Sequence, residues 1–220
     1  FRNDGEYFVD ITGRTGIRAK SKHNTRFGLG WIDFDNDGWL DLYEASGAVT
    51  RLSVPEGVDP YAQEDMLLRG GPKLKFKPVQ PRGGTDETIN LTSRAAAFGD
   101  LDGDGGIDIV VVNRDAPANL YRNIAASRGN WVRLQILNEA GMPAIGAVVS
   151  GTTGKRTITR PVRRAYSYMA SNEPTVHIGL GEAPAVEQVR VRWPDGQITE
   201  HGRLEAGKTH VLRKGSDSEG

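Results

Sequence analysis

The chain contains no cysteine among its 220 residues. Disulfide bonds, thiolate metal sites and cysteine nucleophiles are therefore excluded within it. It also has no apolar run near the ~18 residues that a membrane-spanning helix requires. Neither sign of charge is in excess, because 28 basic residues balance 28 acidic ones. A nucleic-acid binder or a polybasic membrane binder is not expected, since both need a basic surface.

Charge is divided unevenly along the chain. Residues 1–126 carry 15 basic and 19 acidic side chains, a net charge of −4, whereas residues 127–220 carry 13 and 9, a net charge of +4. The 28 glycines and 11 prolines are typical of many short elements joined by turns. The charge division predicts two modules, residues 1–126 and 127–215, with a linker at 125–129 and a tail at 216–220.

An Asp-rich motif with the spacing D-x-D-x-D-G-x-x-D occurs twice, at residues 33–41 (loop 1) and 100–108 (loop 2), an offset of 67 residues (100 − 33). Short β-rich segments surround both copies. Repeats of this length with several short strands are typical of β-propeller blades. The pattern therefore predicts two blades, at about residues 1–67 and 68–120. Two blades cannot close a ring, so we expect further blades or another chain to complete it.

The C-terminal module has a different strand pattern. Residues 131–136 and 189–193 alternate apolar with polar side chains, which indicates strands with one buried face. The one helical candidate of the chain, residues 61–68, is short and is interpreted as a loop insertion. The sequence therefore predicts an all-β chain, in which a partial β-propeller with an incomplete ring precedes a small antiparallel β-domain at residues 127–215.

The spacing of the acids in both loops fits a cation site. Aspartates at alternate positions can turn their carboxylates to one side of a tight turn, which the glycine at the sixth position permits. Oxygen ligands without His or Cys suit Ca²⁺ better than Mg²⁺. The loops are not EF-hands, because those end on a Glu at the twelfth position and have helical flanks.

We therefore predict two Ca²⁺ sites. In each loop the ligands are four carboxylates and the backbone carbonyl of the seventh position. They are Asp33, Asp35, Asp37, Trp39 and Asp41 in loop 1, and Asp100, Asp102, Asp104, Gly106 and Asp108 in loop 2.

The two loops differ between their ligands. Asn36 and Trp39 of loop 1 correspond to Gly103 and Gly106 of loop 2. Each additional glycine gives a free loop more conformational freedom to lose, worth about 0.4–1 kcal/mol. If both positions have ordinary backbone angles, loop 1 is expected to bind Ca²⁺ more tightly than loop 2.

The Asp-rich loops and the segment Phe98-Gly99-Asp100 resemble FG-GAP (VCBS) repeats, the calcium-binding blades of integrin-type propellers. The second half is similar to the ASPIC/UnbV domain. Together the chain resembles the C-terminal part of the cartilage acidic protein (CRTAC) family. This resemblance implies an exported, calcium-loaded protein with further blades upstream, located outside the cell, in the periplasm or at the cell surface. The segments that carry the ASPIC/UnbV similarity are residues 130–134, 144–147, 166–168, 176–181 and 189–196.

The remaining chemistry-bearing residues indicate no active site. The four histidines lie apart in sequence from one another and from any plausible Ser or Asp partner, so His177 is interpreted as a hydrogen-bonded strand residue. A basic stretch in the C-terminal module is either a solvated strand face or a docking patch for an acidic partner or for the acidic blades. It consists of Arg156, Arg160, Arg163 and Arg164.

These patterns favour an exported calcium-binding protein that acts as a binding or scaffold module. Its expected partners are another protein or further blades, with a glycan as an alternative. Two other functions stay open: an enzyme of the glycan lyase or hydrolase type with its pocket in missing blades, and an accessory subunit of a larger complex. A deep polar cleft with a perturbed His or carboxylate away from the loops would favour the enzyme. The N-glycosylation sequon at Asn90 is interpreted as a chance match.

Overall fold

The computed structural model describes residues 1–17, 22–125 and 128–215. The chain is all-β, with 46% of its residues in strands and 4% in helices, which confirms the all-β part of the predicted fold class. No helix among the described residues is long and apolar enough to cross a membrane. The predicted module boundary at residues 126–127 and the tail at 216–220 lie outside the described residues.

The N-terminal part forms antiparallel sheets of short strands. Its strands are β1 (Arg2–Asn3), β2 (Phe8–Val9), β3 (Arg26–Ile32), β4 (Asp41–Ser46), β5 (Gln63–Glu64), β6 (Met66–Arg69), β7 (Lys77–Pro78), β8 (Asn90–Leu91), β9 (Ser93–Gly99), β10 (Asp108–Asn113) and β11 (Asn119–Tyr121). A short helix, α1 (Thr12–Thr15), and 3₁₀ turns at Pro72–Leu74 and Arg82–Gly84 lie between strands. The two larger sheets have the orders β3-β4-β6-β7 and β11-β10-β9, and β1-β2 and β5-β8 are strand pairs.

The segment at residues 61–68 is neither a helix nor a loop insertion, contrary to expectation. It contains β5 and most of β6, and β6 pairs with β4. Leu67 and Leu68 are both buried. Periodicity does not distinguish a short apolar run in a strand from one in a helix, and here the pairing with β4 decides the conformation.

The two larger sheets share one apolar core. Tyr43 and Phe98 meet edge to face, with ring centroids 6.0 Å apart. The close approach of β3 to β9 depends on two glycines of β3, since a Cβ on Gly28 would lie under 3.0 Å from the Ala96 nitrogen and one on Gly30 equally close to the Phe98 ring. The buried residues of this core are Ile32, Tyr43, Ala45, Leu67, Ala96, Phe98, Ile107, Ile109 and Val111. Neither sheet closes on itself within the described residues.

The C-terminal part is a sandwich of two sheets. Its strands are β12 (Asn130–Leu137), β13 (Val148–Thr153), β14 (Arg156–Pro161), β15 (Val176–Gly181), β16 (Ala185–Arg192), β17 (Ile198–Glu205) and β18 (Lys208–Arg213). They form the sheets β15-β12-β18 and β14-β13-β16-β17. Trp193 is fully buried in the core, and its Nε1 donates to Thr199 Oγ1 at 3.0 Å. The prediction of an antiparallel domain is wrong for one pair, because β12 and β18 run parallel. They lie far apart in the chain, so local turn patterns do not reveal their pairing.

The sandwich is docked on the N-terminal sheets through the segment between β14 and β15. Ser167 Oγ accepts a hydrogen bond from the backbone N–H of Leu29 at 3.2 Å. Asn172 Oδ1 accepts one from the N–H of Phe98 at 3.0 Å. The Tyr166 ring stacks on Phe98, with centroids 6.2 Å apart. Hydrogen bonds and ring packing therefore join the sandwich to strands β3 and β9 of the N-terminal part.

The close approach of β3 and β9 predicts that Gly28→Ala lowers the free energy of unfolding by about 2 kcal/mol or more, because the new methyl group meets backbone that cannot rotate away. Gly13→Ala is the matched control, since a Cβ there meets nothing within 4 Å. It should change stability by less than about 1 kcal/mol. Urea unfolding of the three proteins measures both effects, and equal midpoints for Gly28→Ala and the parent would show that the sheets do not approach this closely.

Candidate metal centre

Both Asp-rich loops lie where two neighbouring strands turn back on each other, loop 1 between β3 and β4 and loop 2 between β9 and β10. In loop 1 the structure brings together carboxylate oxygens of Asp33, Asp35 and Asp37, all within 4.8 Å of one another. In loop 2 it brings together Asp100, Asp102 and Asp108 within the same limit. The remaining predicted carboxylates, those of Asp41 and Asp104, do not belong to these tight groups. Three acids per loop therefore form a compact oxygen cluster.

The first acid of each loop holds the turn from inside. Asp33 Oδ2 accepts the N–H of Gly38 at 2.9 Å, and Asp100 Oδ2 accepts the N–H of Gly105 at 3.0 Å. Both glycines have a positive φ, 84° and 83° respectively. This is the sharp reversal that the sequence predicts at the sixth position.

The last acid of each loop ties the turn to its own sheet. The carboxylate of this acid accepts two backbone N–H groups in each loop. One comes from the second residue of the loop, and the other comes from a residue just after a later strand of the same sheet. The donors are Phe34 (2.9 Å) and Gly70 (2.7 Å) for Asp41, and Leu101 (2.8 Å) and Asn123 (2.8 Å) for Asp108. The two loops thus share these framework contacts, but they differ at the other oxygen of the first acid: Gly103 N–H donates to Asp100 Oδ1 at 2.8 Å, whereas Asp33 Oδ1 has no partner.

The seventh residue of each loop lies beside the carboxylate of the fifth residue. Trp39 N–H donates to Asp37 Oδ1 and Gly106 N–H donates to Asp104 Oδ1, both at 2.8 Å. The contacts described for Trp39 and Gly106 use their N–H groups. A ligand role for their carbonyl oxygens stays a prediction.

The backbone corrects the argument for ranking the loops. Asn36 has φ 57° and the equivalent Gly103 has φ 76°. At a positive φ glycine is the residue that fits without strain. Gly103 therefore does not weaken Ca²⁺ binding by loop 2 relative to Asn36 in loop 1. The assumption of ordinary angles at this position is wrong. Trp39 is not among the described residues with a positive φ, and Arg156 lies over its ring at 4.1 Å from the centroid.

Loop 1 concentrates buried negative charge. Asp33 is 2% exposed, and its Oδ1 is buried without a hydrogen-bond partner. Burial, followed by the charges of Asp41, Asp37 and Asp35, raises the pKa of Asp33 well above its ordinary value. Burial also raises the pKa of Asp41 to about 7. A hard cation fits this donor set, because it would satisfy the orphaned oxygen and offset the repulsion.

Loop 2 is compensated by arginines from three directions. Arg133 Nη1 lies 3.1 Å from Asp100 Oδ2, Arg128 Nη2 lies 2.9 Å from Asp104 Oδ2, and Arg122 pairs with Asp102. The hydrogen bond from Arg128 lowers the pKa of Asp104.

In loop 1 the corresponding outer pair is Arg69 with Asp35, at 2.6 Å, and the Arg69 side chain is 54% exposed. Arg160 of the sandwich also acts on this loop, because its charge opposes the rise in the pKa of Asp33. The carboxylates of loop 1 are therefore less fully paired with arginines than those of loop 2, and we expect loop 1 to bind a cation more strongly.

The sandwich donates hydrogen bonds to backbone carbonyls of loop 1, a feature that sequence reasoning missed. Gly129 N–H donates to Asp35 O at 2.8 Å, and Gly181 N–H donates to Asn36 O at 2.7 Å. Arg156 Nη2 donates to Gly38 O at 2.5 Å. The basic stretch was the available indication, and of its four arginines Arg156 contacts loop 1 of the acidic N-terminal part.

Two titratable groups outside the carboxylate clusters, His177 and Asp65, have shifted pKa values and already have hydrogen-bond partners. Burial lowers the pKa of His177 to about 4, and its Nε2 lies 3.2 Å from Gly105 O, as expected for a hydrogen-bonded strand residue. Burial raises the pKa of Asp65 to about 6, but its oxygens are occupied by Tyr43, Ser46 and Ser93.

Two cavities border the loops. The larger, about 540 Å³, is lined by rings such as Trp31, Trp39 and Phe76, and its described lining contains no His or carboxylate. The smaller, about 150 Å³, includes Asp33 and His177 and therefore adjoins loop 1. Neither of these two cavities is a polar cleft that holds a perturbed His or carboxylate away from the loops.

Comparison with known proteins bears on the C-terminal part. Residues 138–219 match the sequence family described as ASPIC and UnbV. Cartilage acidic protein 1 of Mus musculus is 30% identical over 179 residues, which cover 76% of this chain and 25% of that protein. These similarities confirm the predicted ASPIC/UnbV resemblance of the C-terminal part. The chain spans about a quarter of the length of this relative. That the N-terminal sheets are FG-GAP blades stays a prediction.

The charge balance predicts that loop 1 binds Ca²⁺ about fivefold more tightly than loop 2, because the additional arginine pairs of loop 2, of which Arg133 with Asp100 is the buried one, are worth about 1 kcal/mol. Asp102→Asn with Asp104→Asn leaves loop 1 intact, and Asp35→Asn with Asp37→Asn leaves loop 2 intact. Isothermal titration calorimetry on these two variants gives the two affinities. Equal affinities, or a tighter loop 2, would contradict the charge argument.

Proposed function

We propose that this chain is part of an exported calcium-binding protein with a scaffold or binding role, in which calcium is structural. The observation that carries this proposal is the buried Asp33 Oδ1, which has no partner in a turn that brings three carboxylates within 4.8 Å. The ten residues predicted from the sequence would hold the two ions. Loop 2 repeats the framework of loop 1, which supports a second site.

Calcium would act mainly on the contact between the two parts of the chain. The carbonyls of Asp35, Asn36 and Gly38 accept hydrogen bonds from the sandwich, and they lie between the proposed ligands of loop 1. A bound ion would fix the directions of these carbonyls and so stabilise the docked sandwich. The proposed role is therefore to hold a binding surface together rather than to take part in a reaction.

We further propose that the sheets β3-β4-β6-β7 and β9-β10-β11 are two FG-GAP-type blades of a propeller that other blades or another chain complete. The support is an apolar surface on the second sheet, where Val112 and Leu120 are 49% and 64% exposed. Sheets with apolar residues on both faces are normally covered on both. The same surface favours a second candidate, an accessory subunit of a larger complex.

Export fits the expected affinity of the loops. Extracellular calcium modules bind with dissociation constants of about 10⁻⁴–10⁻³ M, which only a calcium-rich compartment saturates. A location outside the cell, in the periplasm or at the cell surface follows from this proposal.

Removing calcium should lower the melting temperature of the chain. Saturation to 100 times the dissociation constant stabilises by about 2.7 kcal/mol per site, which corresponds to about 5–10 °C for each of the two sites in a chain of this size. Scanning calorimetry in chelator, in excess Ca²⁺ and in excess Mg²⁺ tests this, and only Ca²⁺ should restore the transition. The variant Asp33→Asn with Asp100→Asn should not respond. Identical curves for the parent with and without chelator would refute structural calcium.

The exposed sheet surface predicts that the chain associates with itself when no partner is present. Light scattering should show a mass that rises with concentration. Leu120→Glu should suppress this association, whereas Ile198→Glu, at an equally exposed apolar position of the sandwich (61%), should not. A constant monomer mass at all concentrations would count against an incomplete ring.

A further inference from the structure

Two amide side chains connect loop 1 with loop 2. Asn36, in the middle of loop 1, is fully buried, and its Nδ2 donates to Gly105 O of loop 2 at 3.0 Å. In the opposite direction, Asn123 Nδ2 donates to Phe34 O of loop 1 at 2.7 Å. Each loop therefore receives one hydrogen bond from the framework of the other.

Both amides join groups that lie directly beside proposed ligands. Asn36 stands between Asp35 and Asp37. The backbone N–H of Asn123 donates to Asp108 Oδ1 at 2.8 Å, so this residue is held by the last acid of loop 2. The accepting carbonyls are equally close to ligands, since Phe34 follows Asp33 and Gly105 follows Asp104.

Comparison of the two repeats shows that neither amide is needed to build its own loop. The position equivalent to Asn36 is Gly103, which also has a positive φ. The position equivalent to Asn123 is Gly70, whose N–H donates to the last acid of loop 1 in the same way. A loop with glycine at either position thus keeps the framework, and what the asparagines add is the link to the other loop.

We propose that the two loops are thermodynamically coupled calcium sites, in which filling one raises the affinity of the other through Asn36 and Asn123. This inference rests on the proposed calcium-binding function. An ion in loop 1 orders the segment that carries Asn36, and the amide then holds the carbonyl beside two ligands of loop 2. The second ion meets a loop that is already ordered and loses less conformational entropy on binding. Linkage requires the effect to be equal in both directions.

The sandwich holds the shared carbonyl from its other side. Gly105 O accepts Asn36 Nδ2 and also lies 3.2 Å from His177 Nε2. Asn36 Nδ2 in turn lies 3.3 Å from Gly129 O. The hydrogen bond from Asn36 to Gly105 is therefore buried between the N-terminal sheets and the sandwich.

The experiment measures the affinity of each loop with the other one intact and disabled. Calorimetry at about 0.15 M salt, where the Debye length of ~8 Å limits repulsion between the ions, gives the affinity of loop 2 in the parent and in Asp35→Asn with Asp37→Asn. Disabling loop 1 should weaken loop 2 at least about fivefold. Disabling loop 2 with Asp102→Asn and Asp104→Asn should weaken loop 1 by the same factor.

The bridging amides are then removed. Asn36→Gly with Asn123→Ala should reduce the coupling factor towards one, and Asn36→Gly alone should reduce it in part while preserving the fold, because glycine suits this backbone. Asn24→Gly is the control: Asn24 Nδ2 also donates to a backbone carbonyl, that of Glu64 at 3.1 Å, but not to a loop. This control should retain the full coupling.

The outcomes separate this inference from the proposed function. A parent chain that binds no calcium overturns both. Two sites that bind independently overturn the coupling and leave structural calcium standing. Coupling that persists undiminished in Asn36→Gly, with an unchanged melting temperature at saturating calcium, overturns the amide route.

Discussion

The structure depends on the close packing of aspartates in two turns, which the C-terminal sandwich contacts. Asp33 and Asp35 are almost inaccessible to solvent, so water cannot screen their charges. Backbone N–H groups and arginines neutralise part of this charge, more completely in loop 2 than in loop 1. The remainder is what makes a cation the expected component of the folded state.

The same turns position the sandwich. Gly129, Gly179 and Gly181 approach loop 1 so closely that a Cβ on Gly179 would overlap Asp33 and Asn36. The absence of side chains there lets backbone N–H groups reach the loop carbonyls, and Arg156 adds a charged donor. Loop 1 therefore forms part of the surface on which the C-terminal part packs.

The sequence was most informative where the chemistry is local. The spacing of the Asp residues predicts both turns, and the glycines at positions 38 and 105 have the predicted positive φ. It was least informative where distant segments decide. β6 is a strand because β4 pairs with it, β18 lies parallel to β12, and Asn36 bonds to a carbonyl 69 residues away. The basic stretch hinted at docking, but not at the glycines that allow it.

The central claim is that calcium in the loops holds the sandwich in place. Its most direct test is amide hydrogen exchange at Gly129 and Gly181, whose N–H groups donate to Asp35 O and Asn36 O. Exchange of these two amides should slow by at least about tenfold on calcium addition, since one order of magnitude corresponds to ~1.4 kcal/mol of added protection. Amides in the sandwich core, such as that of Val191, should change less. Equal exchange rates at Gly129 and Gly181 with and without calcium would contradict the account.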